Sequence, residues 1–224
     1  MLQAESELMV EALDDVFGWE LLQLGLWGQR ETLLTGCRTR RHAVVSNDAT
    51  RAADTDIGAR LSQLPIANGA VDAVLLPHTL EFETDPFAVV READRVLAGE
   101  GHLVVLGFRP FSLWGFRSRA GRGYPPGLKR MLGARRVADW LELLGYDVGV
   151  TRNYLFTPPW GKGAPRSDAS SPLLRRGWIK PWPAGAYLMK ARKRVFTLTP
   201  IRPRVRERAQ AIGGLVKPTT RQSS

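Results

Sequence analysis

Apolar positions recur along this chain in two alternating rhythms. Leu8, Met9, Leu13, Val16 and Phe17 gather on one face at helical spacing, with Glu7, Glu11 and Asp14 elsewhere, so Ser6 to Phe17 is expected to be an amphipathic helix stopped by Gly18. Glu20 to Leu24 then runs into Gly25 as a short buried strand. A second helix is expected over Gln29 to Arg38, followed by a strand from His42 to Ser46 whose centre is apolar on both faces. The apolar run Val71 to Leu76 halts at Pro77, which has no N–H to give to a sheet. Asp85-Pro86 opens a helix with a capping acid and a first-turn proline, and Gly99 and Gly101 are expected to close it. His102 to Gly107 reads as a strand, followed by a loop to about Gly127 and a helix from Arg135 to Leu144. Tyr146 to Phe156 and Ala186 to Thr199 read as two closing strands. Strands alternating with helices imply a mostly parallel sheet covered on both faces, and two final strands with no helix between them imply an antiparallel C-terminal edge.

Composition narrows the class. A chain of 224 residues, 44% hydrophobic and 24% charged, can bury one sizeable core, which excludes disordered, collagenous and disulfide-scaffold chains. Cys37 is the single cysteine and no leader pattern precedes the first helix, so a cytoplasmic location is expected. No uninterrupted apolar run of about 18 residues is present, so no transmembrane segment is expected. One domain over 1–199 accounts for the pattern. It carries a Pro- and Trp-rich insertion at 157–183, and a basic tail follows at 200–224.

Charge is segregated. Residues 1–108 hold 8 basic and 17 acidic side chains, whereas 109–136 hold 8 basic and none acidic, and 190–224 hold 10 basic and one acidic. The two basic blocks suit nucleic acid or another anionic surface. In 109–136 the cations alternate with Phe111, Trp114, Phe116 and Tyr124, side chains that can stack on bases or pack a cover. A solvated basic face without a dedicated partner is the alternative.

The stretch Leu64-Pro65-Ile66-Ala67-Asn68-Gly69-Ala70-Val71-Asp72-Ala73-Val74 resembles the Leu-Pro-Phe, turn, Phe-Asp-Val-Val signature of the class I S-adenosylmethionine-dependent methyltransferases of the type 11 group. The likeness continues through Asp85-Pro86, Arg91-Glu92, Arg95-Val96-Leu97 and Gly101-His102-Leu103, within a match over roughly residues 19–199. It implies a Rossmann-like, doubly wound α/β fold, S-adenosyl-L-methionine as cofactor, and methyl transfer to an acceptor that the sequence does not identify. In that family the first strand ends in an acid and a Gly-x-Gly-x-Gly turn. Here the stretch is Gln23-Leu24-Gly25-Leu26-Trp27-Gly28, with Gln23 in the acid's place and Trp27 and Gln29 where later glycines would be. A residue with a Cβ cannot freely take positive φ or let a ligand press on the main chain. Two readings follow. In one, the altered turn of Gly25, Leu26, Trp27 and Gly28 still binds cofactor, with Trp27 lining the cleft. In the other, the fold persists as a non-catalytic binding module for nucleic acid or another anionic partner.

Further site residues follow from the same resemblance. Asn47 and Asp48 end the second strand, where Asp48 is placed to accept hydrogen bonds from ribose hydroxyls; a turn or helix-capping aspartate is the alternative. Arg60 stands where many relatives carry an acid near the adenine. Leu64 and Pro65, with Ile66, are expected to form an apolar wall against the base, and Pro77 to border the cleft. His78 is the candidate general base, with a structural, loop-bonded histidine as the alternative. Asp72 is expected to organise the loop by hydrogen bonds. Three scattered histidines and one cysteine give no ligand spacing, so no metal is expected.

Overall fold

A computed structural model of the chain describes residues 2–28, 32–34, 36–119, 127–149, 151–156 and 184–195. The insertion at 157–183, Tyr124 and the tail at 200–224 lie outside the described residues. Its strands are β1 (Phe17–Leu24), β2 (Arg38–Ser46), β3 (Ile57–Gly58), β4 (Val71–Pro77), β5 (Leu97–Phe108), β6 (Tyr146–Val148), β7 (Arg152–Tyr154) and β8 (Ala186–Lys193). The helices are α1 (Leu2–Leu13), α2 (Pro86–Val96), α3 (Leu113–Arg119) and α4 (Ala134–Leu143), with short 3-10 turns at Ala49–Asp54 and Thr79–Glu81.

All eight strands form one sheet in the order β3-β2-β1-β4-β5-β8-β6, with β7 also on β8. The five strands β1 to β5 pair in parallel, while β8 runs antiparallel to β5 and to β6 and β7. This is the expected mostly parallel α/β sheet with an antiparallel end, and β8 lies one strand in from the edge. Alternation sends Leu22, Val74 and Leu76 to a core shared with α2 and α4, and Leu21, Ala73 and Leu75 to a second core shared with α1. The chain order reverses between β1 and β4, the switch point at which ligands collect outside the carboxyl ends of parallel strands.

The Asp85-Pro86 start is as expected: the Asp85 side chain accepts from Ala88 N at 3.1 Å, and α2 buries Val89, Val90, Ala93 and Val96. Several boundaries differ, and β8 ends at Lys193 where a strand to Thr199 was expected. The first helix begins earlier and ends at Leu13, and Phe17 already belongs to β1. Gly18 is therefore a strand residue; a Cβ there would lie 2.4 Å from that of Asp72, whose Oδ2 accepts from Trp19 N at 2.6 Å and Glu20 N at 3.1 Å. Asp72 thus bonds backbone of the strand β1 and not, as expected, of a loop. In the second expected helix, residues 32–34 and 36 form turns, Gly36 has φ +88°, and β2 starts at Arg38 because it pairs with Phe17. Gly99 and Gly101 lie within β5, which takes over directly from α2. The expected loop after β5 contains α3, and the expected strand at 146–156 is split into β6 and β7 before Leu155 turns left-handed at φ +62°.

Candidate cofactor cleft and the buried cluster behind it

Two hollows meet at the carboxyl ends of β1, β2 and β4. One, of about 450 Å³, is lined by Gly25, Leu26, Trp27, Gly28, Ser46, Asn47, Asp48, Arg51, Leu61, Pro77, Thr79, Phe82 and Glu83. The other, of about 670 Å³, shares Ser46, Asn47 and Asp48 and continues past Gly58, Ala59 and Arg60. Gly25 and Gly28 have φ of +88° and +73°, and a Cβ on Gly25 would lie 2.7 Å from Thr79 Oγ1. Glycine is thus required at Gly25 both by conformation and by the approach of the next strand's loop. Gly25 N donates to Val45 O at 2.8 Å, Thr79 Oγ1 donates to Leu24 O, and Arg51 Nη2 donates to Gly28 O at 2.7 Å, so the turn is held from three sides.

Asp48 is exposed and caps the 3-10 turn: its Oδ1 accepts from Thr50 N at 2.9 Å and from Thr50 Oγ1 at 2.5 Å. Both Thr50 bonds hold its carboxyl below the ordinary range. Capping and cleft lining are therefore properties of one side chain. Of the expected apolar wall, Leu64 is instead buried in the core, with its N–H donated to Glu92 Oε1 at 2.7 Å, and Pro65 is exposed. Leu61 supplies the apolar contact at the cleft. Arg51, Leu61, Thr79, Phe82 and Glu83 were not singled out as site residues from the sequence. For Leu61 the signal was its position three residues before the Leu-Pro pair.

Trp27 does not fill the cleft. Its ring stands as a wall, with centroids 4.5 Å from His78, 5.7 Å from Phe108 and 6.2 Å from Phe82. Behind it His78 is fully buried, at 0% exposure, and takes a left-handed φ of +53°. Its Nε2 lies 3.2 Å from Glu5 Oε1 and 3.2 Å from the Tyr154 hydroxyl, and its ring stacks on Phe108 at 4.0 Å. Tyr154 donates to the same Glu5 oxygen at 3.1 Å, and Trp27 Nε1 donates to Glu5 Oε2 at 2.8 Å. Burial works against the Glu5 charge, yet the His78, Trp27 and Tyr154 donors outweigh it and lower the pKa. On the other side of the imidazole, burial raises Glu81, whose Oε1 accepts from Phe108 N at 2.6 Å and lies 4.0 Å from His78 Nδ1. His78 Nδ1, Glu81 Oε2 and Gln23 Oε1 are buried without a partner among the described residues.

The basic rim adjoins this site. Backbone N–H groups of Lys129 and Arg130 donate to Glu81 O at 3.0 and 3.2 Å, while their side chains donate to Thr84 Oγ1 and Thr84 O. Neither cation forms an ion pair among the described residues, and the nearby Phe111 and Phe116 rings are 81% and 71% exposed.

The family described as "Methyltransferase domain" matches residues 29–105. The Escherichia coli (strain K12) protein described as "Uncharacterized protein YafS" is 34% identical over 208 residues, covering 88% of this chain and 80% of that protein. The chain belongs to the class I S-adenosylmethionine-dependent methyltransferases. Solved methyltransferase structures share the fold. One from Archaeoglobus fulgidus has a TM-score of 0.63 at 16% identity, covering 85% of this chain and 92% of its own. Another, from Thermotoga maritima, has a TM-score of 0.58 at 16% identity, covering 84% of this chain and 89% of its own. In this methyltransferase the cleft at the switch point occupies the ligand position of open α/β sheets. Among the described residues no helix is long and apolar enough to cross a membrane.

Proposed function

We propose that the cleft walled by Trp27 is the cofactor site and that the enzyme transfers a methyl group to an anionic acceptor arriving over the basic rim. The observation that carries the first part is the cradle at Gly25, where positive φ and the crowding of Thr79 exclude any side chain beside a hollow of about 450 Å³. The residues fit S-adenosylmethionine. Gly25 to Gly28 present main chain, Asp48 presents a carboxylate for ribose hydroxyls, and Leu61 and Pro77 give apolar contact.

When bound, the cofactor supplies an electrophilic sulfonium methyl. The protein's part is alignment and exclusion of water. Trp27 and Phe82 wall the cleft, and the 127–131 segment is tied down across Glu81 and Thr84 by its own N–H groups and cations. Lys129 and Arg130, without carboxylate partners among the described residues, favour an acceptor that carries negative charge. His78 acts as a base only on an acceptor that displaces the Trp27 ring. That burial supports the structural, loop-bonded role for His78, and transfer from a sulfonium needs no dedicated base, so the second reading, a binding module that does no chemistry, is decided by cofactor binding.

Calorimetry with S-adenosylmethionine and S-adenosylhomocysteine separates the two. The enzyme reading expects micromolar binding that Asp48→Ala weakens about tenfold. No binding at millimolar ligand would leave the module.

A further inference from the structure

Glu5 is the most unusual charged residue in the molecule. It lies at 0% exposure on α1, on the same face as Met9 and Leu13, and meets three rings from three other segments: Oε2 accepts from Trp27 after β1, and Oε1 accepts from Tyr154 at the end of β7 and lies 3.2 Å from His78 Nε2 after β4. A buried carboxylate persists only when its lone pairs are satisfied, and here every donor is an aromatic side chain at the back of the cleft. The backbone is strained beside two of those donors, since His78 and Leu155, the residue after Tyr154, both have positive φ without being glycine. Leu2, on the same helix, reaches Gly28, where an added Cβ would lie 2.6 Å from a Leu2 methyl. Helix α1 therefore touches the cofactor turn at both Trp27 and Gly28.

We propose that Glu5 is a positioning residue of the transferase: its carboxylate latches the Trp27 indole as the rear wall of the cofactor cleft and fixes the His78 ring with its proton on Nε2. This rests on the reading of the cleft as the cofactor site. Released from Glu5, the indole loses the bond that sets its angle, and the cleft loses its defined rear wall. An ionised carboxylate only accepts, so it assigns the Nε2 proton and turns the bare Nδ1 toward Glu81.

The test uses the full chain labelled with nitrogen-15. Trp27→Phe identifies the Trp27 indole N–H signal by its loss. In the wild type that proton is expected to exchange slowly with solvent, and Glu5→Ala is expected to speed the exchange about tenfold or more. Tyr154→Phe, which removes a donor from the other carboxylate oxygen, is expected to leave the exchange slow. S-Adenosylhomocysteine affinity is expected to fall about tenfold in Glu5→Ala and to be largely restored in Glu5→Gln, whose side-chain oxygen still accepts from Trp27. In Glu5→Gln the amide donates to His78 Nε2, so the ring's nitrogen-15 shifts are expected to switch to the Nδ1–H tautomer. Unchanged indole exchange in a folded Glu5→Ala overturns the proposal, and so does an unchanged His78 tautomer in Glu5→Gln, which stands in if the alanine variant does not fold. Equal affinity in wild type and a folded Glu5→Ala overturns the latch alone. A wild type that binds no S-adenosylhomocysteine overturns the cofactor reading and with it the latch's role in catalysis.

Discussion

Asp48 and His78 stand just beyond the carboxyl ends of β2 and β4, on either side of β1, yet one lies in water and the other is fully buried. On the β2 flank the polar groups Asn47, Asp48 and Arg60 are exposed, and the Asp48 cap is made within a few residues of chain. On the β4 flank, Glu5, His78, Glu81 and Tyr154 are all nearly or wholly buried, come from three segments, and depend on one another for partners. A hydrated charge can be changed at little cost to the fold, whereas a buried one has no water to fall back on. On the proposed reading of the cleft, recognition lies on a tolerant flank and wall geometry on an intolerant one.

The largest effect tests that intolerance. His78→Ala removes a buried ring that stacks on Phe108 and faces the Glu5 carboxylate, so the loss of stability is expected to be about 3–5 kcal/mol. Urea unfolding should show a lowered midpoint with an unchanged slope. A loss below about 1 kcal/mol, the size of a surface change, would show that the buried flank is no more demanding than the open one.

Within the closed flank the two acids carry opposite signs. Burial raises Glu81, so its protonated form favours the folded state, and the stability it gives at low pH is lost as pH rises from about 4.5 toward the higher folded value. Glu5 is lowered, so its contribution is present above the carboxylate range and is lost as pH falls. Glu81→Gln keeps the oxygen that accepts from Phe108 N and removes the titration. Its stability relative to wild type is expected to be higher at pH 8 than at pH 5 in paired urea titrations. A constant difference across that range would mean that Glu81 is ionised in the fold at every pH tested.

The open flank was the more legible of the two. Short apolar runs and the Asp85-Pro86 cap give β4, α2 and β5 directly, and Asp48 follows from the end of β2. On the closed flank His78 alone stands out in the sequence, as a candidate base. Glu5 falls just before the helix expected from Ser6, although α1 begins at Leu2. Its true signal is positional: it falls one turn before Met9 and two before Leu13, inside the apolar stripe. Tyr154 sits in a strand too short for alternation to place it, and its contact with Glu5 spans 149 residues of sequence. The helix expected over 29–38 is not formed at 32–34 and 36, where turns stand and Gly36 takes a left-handed φ.

A substitution at Asp48 sharpens the open flank by separating its two roles. Serine caps helix starts as well as aspartate does but brings no carboxylate. Asp48→Ser is therefore expected to leave thermal unfolding unchanged while weakening S-adenosylhomocysteine binding about tenfold, measured by calorimetry. Equal losses of stability and affinity would make Asp48 a cap alone.

The smallest effect is expected at Arg60, which lines the larger hollow next to Asp48, is exposed, and forms no ion pair among the described residues. Arg60→Asp reverses a charge beside the cleft without removing a packed group. S-Adenosylmethionine carries a sulfonium charge that S-adenosylhomocysteine lacks, so the ratio of their affinities isolates the electrostatic part from shape. Exposed charges interact weakly through water, and the ratio is expected to shift toward the charged ligand by only about two- to threefold in low salt. The shift should shrink toward unity at about 0.5 M salt, where screening acts over a few ångströms. A shift that survives salt would mean that position 60 lies within contact distance of the sulfonium. The methionine end of the ligand would then occupy the larger hollow, and the cradle at Gly25 would hold the nucleoside instead.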